Sequence, residues 1–267
     1  MPILVVGNES QELVFGPASL GDVDLAIGQD GNPIIVFSFN GQLLVAKCND
    51  PECAGNDQTI TSLFDLGNQG ILYLSVAIGV DTFPVISFYD APEQALKLVK
   101  CNDQACAGNN EAIISIDDPD HDVGWATSIA IGSDGFPVIS YRDALNDALK
   151  VAKCGDIACA PDLLTLSTVD DDGEQLALQT SIAIGIDGNP VISYQNSSDY
   201  SLKFAKCNDK SCTGSDELVQ TLDIGARHTS ITIGGDGLPI IAYCNSIANN
   251  FALKVIHCGT AHCSPSK

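Results

Sequence analysis

One stretch of this chain is written five times with small edits. The clearest copy runs from Ser128 to Cys159, SIAIGSDGFPVISYRDALNDALKVAKCGDIAC. The others open at Asp24 (DLAIGQDGNPIIVF), Ser75 (SVAIGVDTFPVISF), Ser181 (SIAIGIDGNPVISY) and Ser230 (SITIGGDGLPIIAY). The first cysteine of each copy falls at 48, 101, 154, 207 and 258, giving steps of 53, 53, 53 and 51. A period of this size means one supersecondary unit per copy, stacked into a ring or a solenoid.

Within the unit, Ser128–Gly132 and Pro137–Tyr141 are β-branched runs joined by Ser133-Asp134-Gly135-Phe136, a tight hairpin signal. A third run, Ala148–Cys154, follows a polar loop that shrinks to Asn40-Gly41 in the first copy, so the second and third runs are antiparallel neighbours. Fourth runs read at Thr59–Phe64, Ala112–Ile116, Leu163–Ser167 and Leu218–Leu222. No segment carries a capped helical period, so four strands per repeat predict an all-β propeller, not a helical array. In copy 2, Val80-Asp81-Thr82-Phe83 places Thr where the others have Gly, which predicts a differently shaped turn.

The fifth copy lacks a fourth run, and the N-terminal residues offer one. Glu12 in Gln11–Phe15 precedes Asp24 by the same twelve residues that separate Leu218 from Ser230, and Ile3–Val6 is an alternative donor. The expectation is a five-bladed β-propeller with four antiparallel strands per blade and an N-terminal strand closing the last blade, which removes two sheet edges. As one domain over 1–267, it would comprise a closing strand and lead-in at 1–23 and repeats at 24–74, 75–127, 128–180, 181–229 and 230–267.

Each copy carries Cys-x-x-x-x-Cys: Cys48 with Cys53, Cys101 with Cys106, Cys154 with Cys159, Cys207 with Cys212 and Cys258 with Cys263. Pairs in register with the repeat read as disulfides formed in an oxidising compartment; zinc would need four ligands where a blade offers two thiols. Cys244 is left over and reads as a buried free thiol. Met1–Val6 has no basic n-region or full h-region, so a secreted or cell-surface protein would carry its leader outside these residues.

The 34 acidic against 12 basic residues give a net charge of −22, which disfavours nucleic acid and anionic lipid as partners. No run of apolar residues is long enough to insert in a membrane. A monomer is expected. Eight lysines recur on the third run (Lys47, Lys97, Lys100, Lys150, Lys153, Lys203, Lys206 and Lys254), where they read as structural partners of acids.

Function is expected on the face where the copies diverge. The loop Asp117–Trp125 holds the only tryptophan, and Asp118, Asp120 and Asp122 could hold a hard cation such as Ca²⁺ while His121 and Trp125 meet a ligand. The competing reading is a solvated loop with Trp125 packed on the next blade, and no cofactor is firmly implied. Asp171, Asp172 and Glu174 could add acids, and Arg227 and His228 are the basic spot of the same face. Ser75, Ser128, Ser181 and Ser230, with Asp24, form a ring that either lines the channel entrance or caps backbone groups. Tyr141, Tyr194 and Tyr243, with Phe37 and Phe88 in register, read as inter-blade packing. No catalytic constellation stands out, so no catalytic residue is named.

The unit SIAIGxDGxPVISYxD…LKVAKCxDxxC resembles a repeat of secreted bacterial and environmental proteins, and that resemblance implies a β-propeller without assigning a function. The turn has a weaker similarity to the Asp-boxes of sialidase-like propellers, from which no residues carry over. Tachylectin-type lectins share only the blade count. The expectation is therefore a disulfide-stabilised, lectin-like module that binds carbohydrate or a protein surface. The alternatives are a five-bladed glycoside hydrolase or lyase using Asp24 with Asp122 or Asp172, and a structural module of a surface protein or adhesin.

Overall fold

A computed structural model describes the chain except residues 1–2, 8–9, 15–19, 55–57, 68–69, 109, 118–121, 172–175, 215, 248–249 and 264–267. Among the described residues the regular structure is all β, apart from one 3-10 turn at Pro161–Leu163. Among the described residues no helix is long and apolar enough to cross a membrane.

After an N-terminal hairpin, β1 (Ile3–Gly7) and β2 (Ser10–Val14), the repeats form consecutive antiparallel sheets, here called blades 1 to 5. Blade 1 holds β3 (Leu20–Ile27), β4 (Pro33–Phe39), β5 (Gln42–Lys47) and β6 (Thr59–Asp65). Blade 2 holds β7 (Ile71–Ile78), β8 (Pro84–Asp90), β9 (Ala95–Lys100) and β10 (Ala112–Ser115). Blade 3 holds β11 (Val123–Ile131), β12 (Pro137–Asp143), β13 (Ala148–Lys153) and β14 (Thr165–Asp170). Blade 4 holds β15 (Leu176–Ile184), β16 (Pro190–Asn196), β17 (Ser201–Lys206) and β18 (Leu218–Asp223). Blade 5 has three strands among the described residues, β19 (Ala226–Ile233), β20 (Pro239–Ile247) and β21 (Asn250–His257).

The first strands pack side by side in the order β3, β7, β11, β15, β19, a propeller-like arrangement. Its core lies between blades. Ile34, Val36, Leu43 and Val45 of blade 1 meet Leu74, Val76, Ile86 and Phe88 of blade 2, and equivalent clusters join blades 2 to 3, 3 to 4 and 4 to 5. No such cluster joins blade 5 to blade 1 among the described residues, so the arrangement is open. The N-terminal strand does not complete blade 5: Val14 pairs with Ile3 and Ser10 with Gly7. A local hairpin closes a loop of two residues, whereas reaching β21 closes one of well over two hundred, and the entropy cost grows with loop length.

The repeating residues act as clasps. Within blades, turn carboxylates meet strand-end lysines: Asp30 with Lys47 at 2.7 Å, Asp81 with Lys100 at 2.7 Å and Asp187 with Lys206 at 2.7 Å. In blade 5 the same place is taken by His257 with Asp236 at 2.8 Å. Between blades, Asp117 accepts from Tyr141 Oη at 2.6 Å and from Lys150 at 2.5 Å. Asp170 with Tyr194 and Lys203, and Asp223 with Tyr243 and Lys254, repeat the arrangement. Burial, and then the Asp117 carboxylate, push the Tyr141 phenol well above its ordinary range.

All five expected disulfides form. Cys48 bonds to Cys53 with Cα atoms 5.0 Å apart, Cys101 to Cys106 at 4.9 Å, and Cys154 to Cys159 at 4.7 Å. Cys207 bonds to Cys212 at 4.9 Å and Cys258 to Cys263 at 4.5 Å. These spans are normal for the bond. The spacing alone did not show how the short loop closes: Cys53, Cys106, Cys159, Cys212 and Cys263 all turn left-handed, with φ of 49 to 54°. Each also donates its N–H to the carbonyl three residues earlier, as Cys53 does to Asp50 O at 3.2 Å and Cys263 to Thr260 O at 3.0 Å. Five such bonds fit an extracellular, oxidising environment.

Two further expectations change. Cys244 is exposed, not buried, because it lies on the uncovered face of blade 5. The copy 2 turn keeps the common shape: Thr82 adopts φ 73° where Gly135 has 86°. Thr82 N–H donates to Gly79 O at 2.8 Å, as Gly135 does to Gly132 O at 2.9 Å.

Candidate functional site

The first strands begin four or five residues earlier than the periodicity suggests, at Leu20, Ile71, Val123, Leu176 and Ala226. In each, the pairing to the second strand slips just before the Ser or Asp that heads the repeat. Tyr73, Ala126 and His228 occupy equivalent positions there with left-handed φ of 55°, 53° and 49°. Such bulges redirect side chains.

All five first strands line one central cavity of about 380 Å³, through residues such as Asp22, Asp24, Tyr73, Ala126, Gln179 and Thr229. Its wall is held by a ladder. Asp24 Oδ2 accepts from Val76 N–H at 2.8 Å, Ser75 Oγ from Ile129 N–H at 3.2 Å, Ser128 Oγ from Ile182 N–H at 3.3 Å, and Ser181 Oγ from Ile231 N–H at 3.1 Å. The serine ring therefore caps backbone groups of the following blade.

Beside the cavity, Trp125 packs against Tyr73 and Tyr89, with ring centroids at 5.5 and 5.3 Å. Asp122 Oδ1 accepts from Trp125 Nε1 and Tyr89 Oη, each at 2.7 Å, which fixes both rings. Burial raises the Tyr89 pKa, and the hydrogen bond to Asp122 favours its neutral form further. Tyr73 is raised by burial and then by the Asp22 charge, with Arg142 opposing. The Tyr73 N–H donates to the Asp22 carboxylate, so one residue joins the aromatic cluster to the acidic wall. Gly124 makes the placement of Trp125 possible: its φ is 105°, and a Cβ there would lie 2.7 Å from Leu96 Cα.

Of the expected site residues, the structure brings Asp122 and Trp125 together. Asp118, Asp120, His121, Asp172 and Glu174 lie outside the described residues. Asp171 is exposed after β14. Arg227 and His228 lie on β19 itself; Arg227 Nε donates to Ser246 Oγ at 3.0 Å and its guanidinium lies 4.9 Å from the Tyr200 ring. Among the described residues, no group of three or more His, Cys, Asp or Glu sits so as to hold a metal ion. Sequence reasoning missed Asp22, Tyr73 and Tyr89. Asp22 and Tyr73 share one signal: they stand two residues before the repeat's heading Asp24 or Ser75, in a column where the copies differ.

No protein-family model matches the chain, and no curated protein matches its sequence. Solved structures do match in fold. A protein of unknown function from Dyadobacter fermentans superposes with a TM-score of 0.69 at 8% identity, covering 96% of this chain and 81% of that one. An α-L-arabinofuranosidase from Lactobacillus brevis gives 0.56 at 11%, covering 90% of each chain. An endo-arabinase from Bacteroides thetaiotaomicron gives 0.53 at 13%, covering 89% of this chain and 93% of that one. At these identities the likeness is one of fold.

Proposed function

We propose that the protein acts on carbohydrate at its central cavity. The observation that carries this is Tyr73, whose backbone binds Asp22 and whose ring packs on Trp125, so that a carboxylate wall and an aromatic platform adjoin. Aromatic faces suit the apolar faces of sugars, and carboxylates suit their hydroxyls. The arabinose-directed names of two fold neighbours support the same ligand class and favour hydrolysis over passive binding. Asp22 and Asp24 are the carboxylates available for it. Glycoside hydrolysis uses two carboxylates, one as acid and one as base or nucleophile, and both of these line the cavity.

Binding without cleavage is the second reading. It is favoured by the hydrogen bonds that already occupy both groups: Asp24 accepts from Leu25 and Val76 N–H, and Asp22 from Tyr73 N–H. The same proposal takes the five sheets as blades of one ring, since all five first strands line the cavity, and places the protein outside the cell.

The deciding experiment follows reducing ends released from arabinan and xylan, with Asp22→Asn and Asp24→Asn beside the wild type. Hydrolysis predicts release that falls about 100-fold or more in the variants. Saturable binding without release selects the second reading. Neither release nor binding on any neutral polysaccharide removes both.

A further inference from the structure

Two apolar faces of the molecule are uncovered, and the other blades show what belongs on them. On blade 5, Leu253 is 76% exposed and Val255 61%. Their counterparts Leu43, Leu96, Leu149 and Leu202, and Val45, Leu98, Val151 and Phe204, are all 0%. On blade 1, Val23 and Leu25 are 66% and 59% exposed, where the equivalents of Leu25 (Val76, Ile129, Ile182 and Ile231) are 6 to 7%. The first set is the kind of face each blade turns to the next, and the second is the kind that receives it.

The residues across each interface are matched. Ser87 accepts from Thr127 at 2.9 Å, Ser140 and Thr180 share a hydrogen bond of 2.9 Å, and Ser193 accepts from Thr229 at 2.8 Å. Between blades 1 and 2 both members are apolar, Val36 and Leu74, in one core cluster. Polar meets polar and apolar meets apolar, because a buried hydroxyl left without a partner is costly. In the same register blade 5 offers Ala242, and blade 1 offers Val23. This pair is matched.

The hydrogen-bond ladder has corresponding loose ends. Ser230, the fifth rung, is exposed, and the Leu25 N–H that it would cap is taken by Asp24 Oδ1 of its own blade at 2.8 Å. Thr229 of blade 5 and Asp22 of blade 1 line the same cavity, so the two faces flank one gap. Tethered ends meet at a high effective concentration, which favours each other over a second molecule.

We infer that the face of blade 5 formed by Ala242, Leu253 and Val255 docks on Val23 and Leu25 of blade 1 of the same chain, making a fifth interface. This rests on reading the sheets as blades of one ring and is independent of the carbohydrate. The test pairs Val23→Cys with Ala242→Cys in a Cys244→Ser background, oxidised in dilute solution and mapped by mass spectrometry without reduction. Ser140→Cys with Thr180→Cys, at an interface already formed, is the control.

A bond between positions 23 and 242 within a monomer is the expected result. Bonded dimers would make a second copy the occupant, and a bond in the control alone would leave the faces open; each overturns the inference. The wild-type Cys244 thiol decides independently. Its counterparts Ser38, Tyr89 and Gln195 are 3 to 6% exposed, and the side chain of the fourth, Arg142, is 11% exposed. Closure predicts that it resists alkylation until the protein is unfolded, whereas complete labelling of the folded monomer contradicts closure. Closure without glycan binding, or the reverse, tells this inference apart from the proposed function.

Discussion

Thr229 of blade 5 donates its hydroxyl to Ser193 of blade 4 at 2.8 Å, and Ser193 is wholly buried. The contact crosses an otherwise apolar seam, so its two halves depend on each other. Thr229→Val alone leaves the Ser193 hydroxyl unpaired and is expected to cost about 1–3 kcal/mol. Adding Ser193→Ala should recover most of that loss. A double-mutant cycle from urea unfolding reads the coupling, and additive losses would mean that the pair does not interact.

Thr82 holds φ 73° in a turn where the other copies place glycine. A β-branched residue is strained in the left-handed region by roughly 1–2 kcal/mol. Thr82→Gly is therefore expected to raise stability by about 1 kcal/mol, the rest being lost to glycine's greater unfolded entropy. Thermal unfolding of the two proteins checks this; a lower midpoint in the variant would show that the turn carries no strain.

Acid should unfold the protein through its turn carboxylates. The hydrogen bond from Lys47 holds Asp30 below its ordinary value, and burial, which pushes upward, is outweighed by it together with the Asn32 N–H and the Lys47 charge. At Asp187 burial pushes upward, but Lys206 and the Asn189 N–H outweigh it. A carboxyl held low in the folded state contributes stability in full above its unfolded value near pH 4, and loses it as pH falls through the folded value. Unfolding midpoints are expected to be level from about pH 7 to 5 and to drop below about pH 4. Asp30→Asn combined with Asp187→Asn should start lower and fall less. An equal acid drop in that variant would assign the effect to other groups.

Much of this fold is written in the repeat. The Asp-Gly turns, the Asn40-Gly41 hairpin, the cysteine pairs and the lysines on the third strands all take the places their chemistry suggests. The early part of each first strand was not legible. Residues such as Tyr73, Ala126 and His228 turn left-handed without being glycine, and the bulge breaks the alternation that marks a strand. Trp125, Arg227 and His228 therefore read as loop residues although they lie on β11 and β19. Asp22 and Tyr73 were hidden by the same break. The N-terminal strand matched its expected spacing yet paired locally, because spacing does not report which edge a strand will meet.

Trp125 is the single tryptophan of the chain, and it stands against Tyr73 at the cavity wall. Its fluorescence during titration with arabino-oligosaccharides therefore reports directly on carbohydrate at this place. A saturable change in intensity or wavelength, lost in Tyr73→Ala and absent with a charged non-sugar polymer, is the predicted result. A flat emission spectrum through saturating sugar, from protein that is folded with its disulfides intact, would contradict a sugar site here.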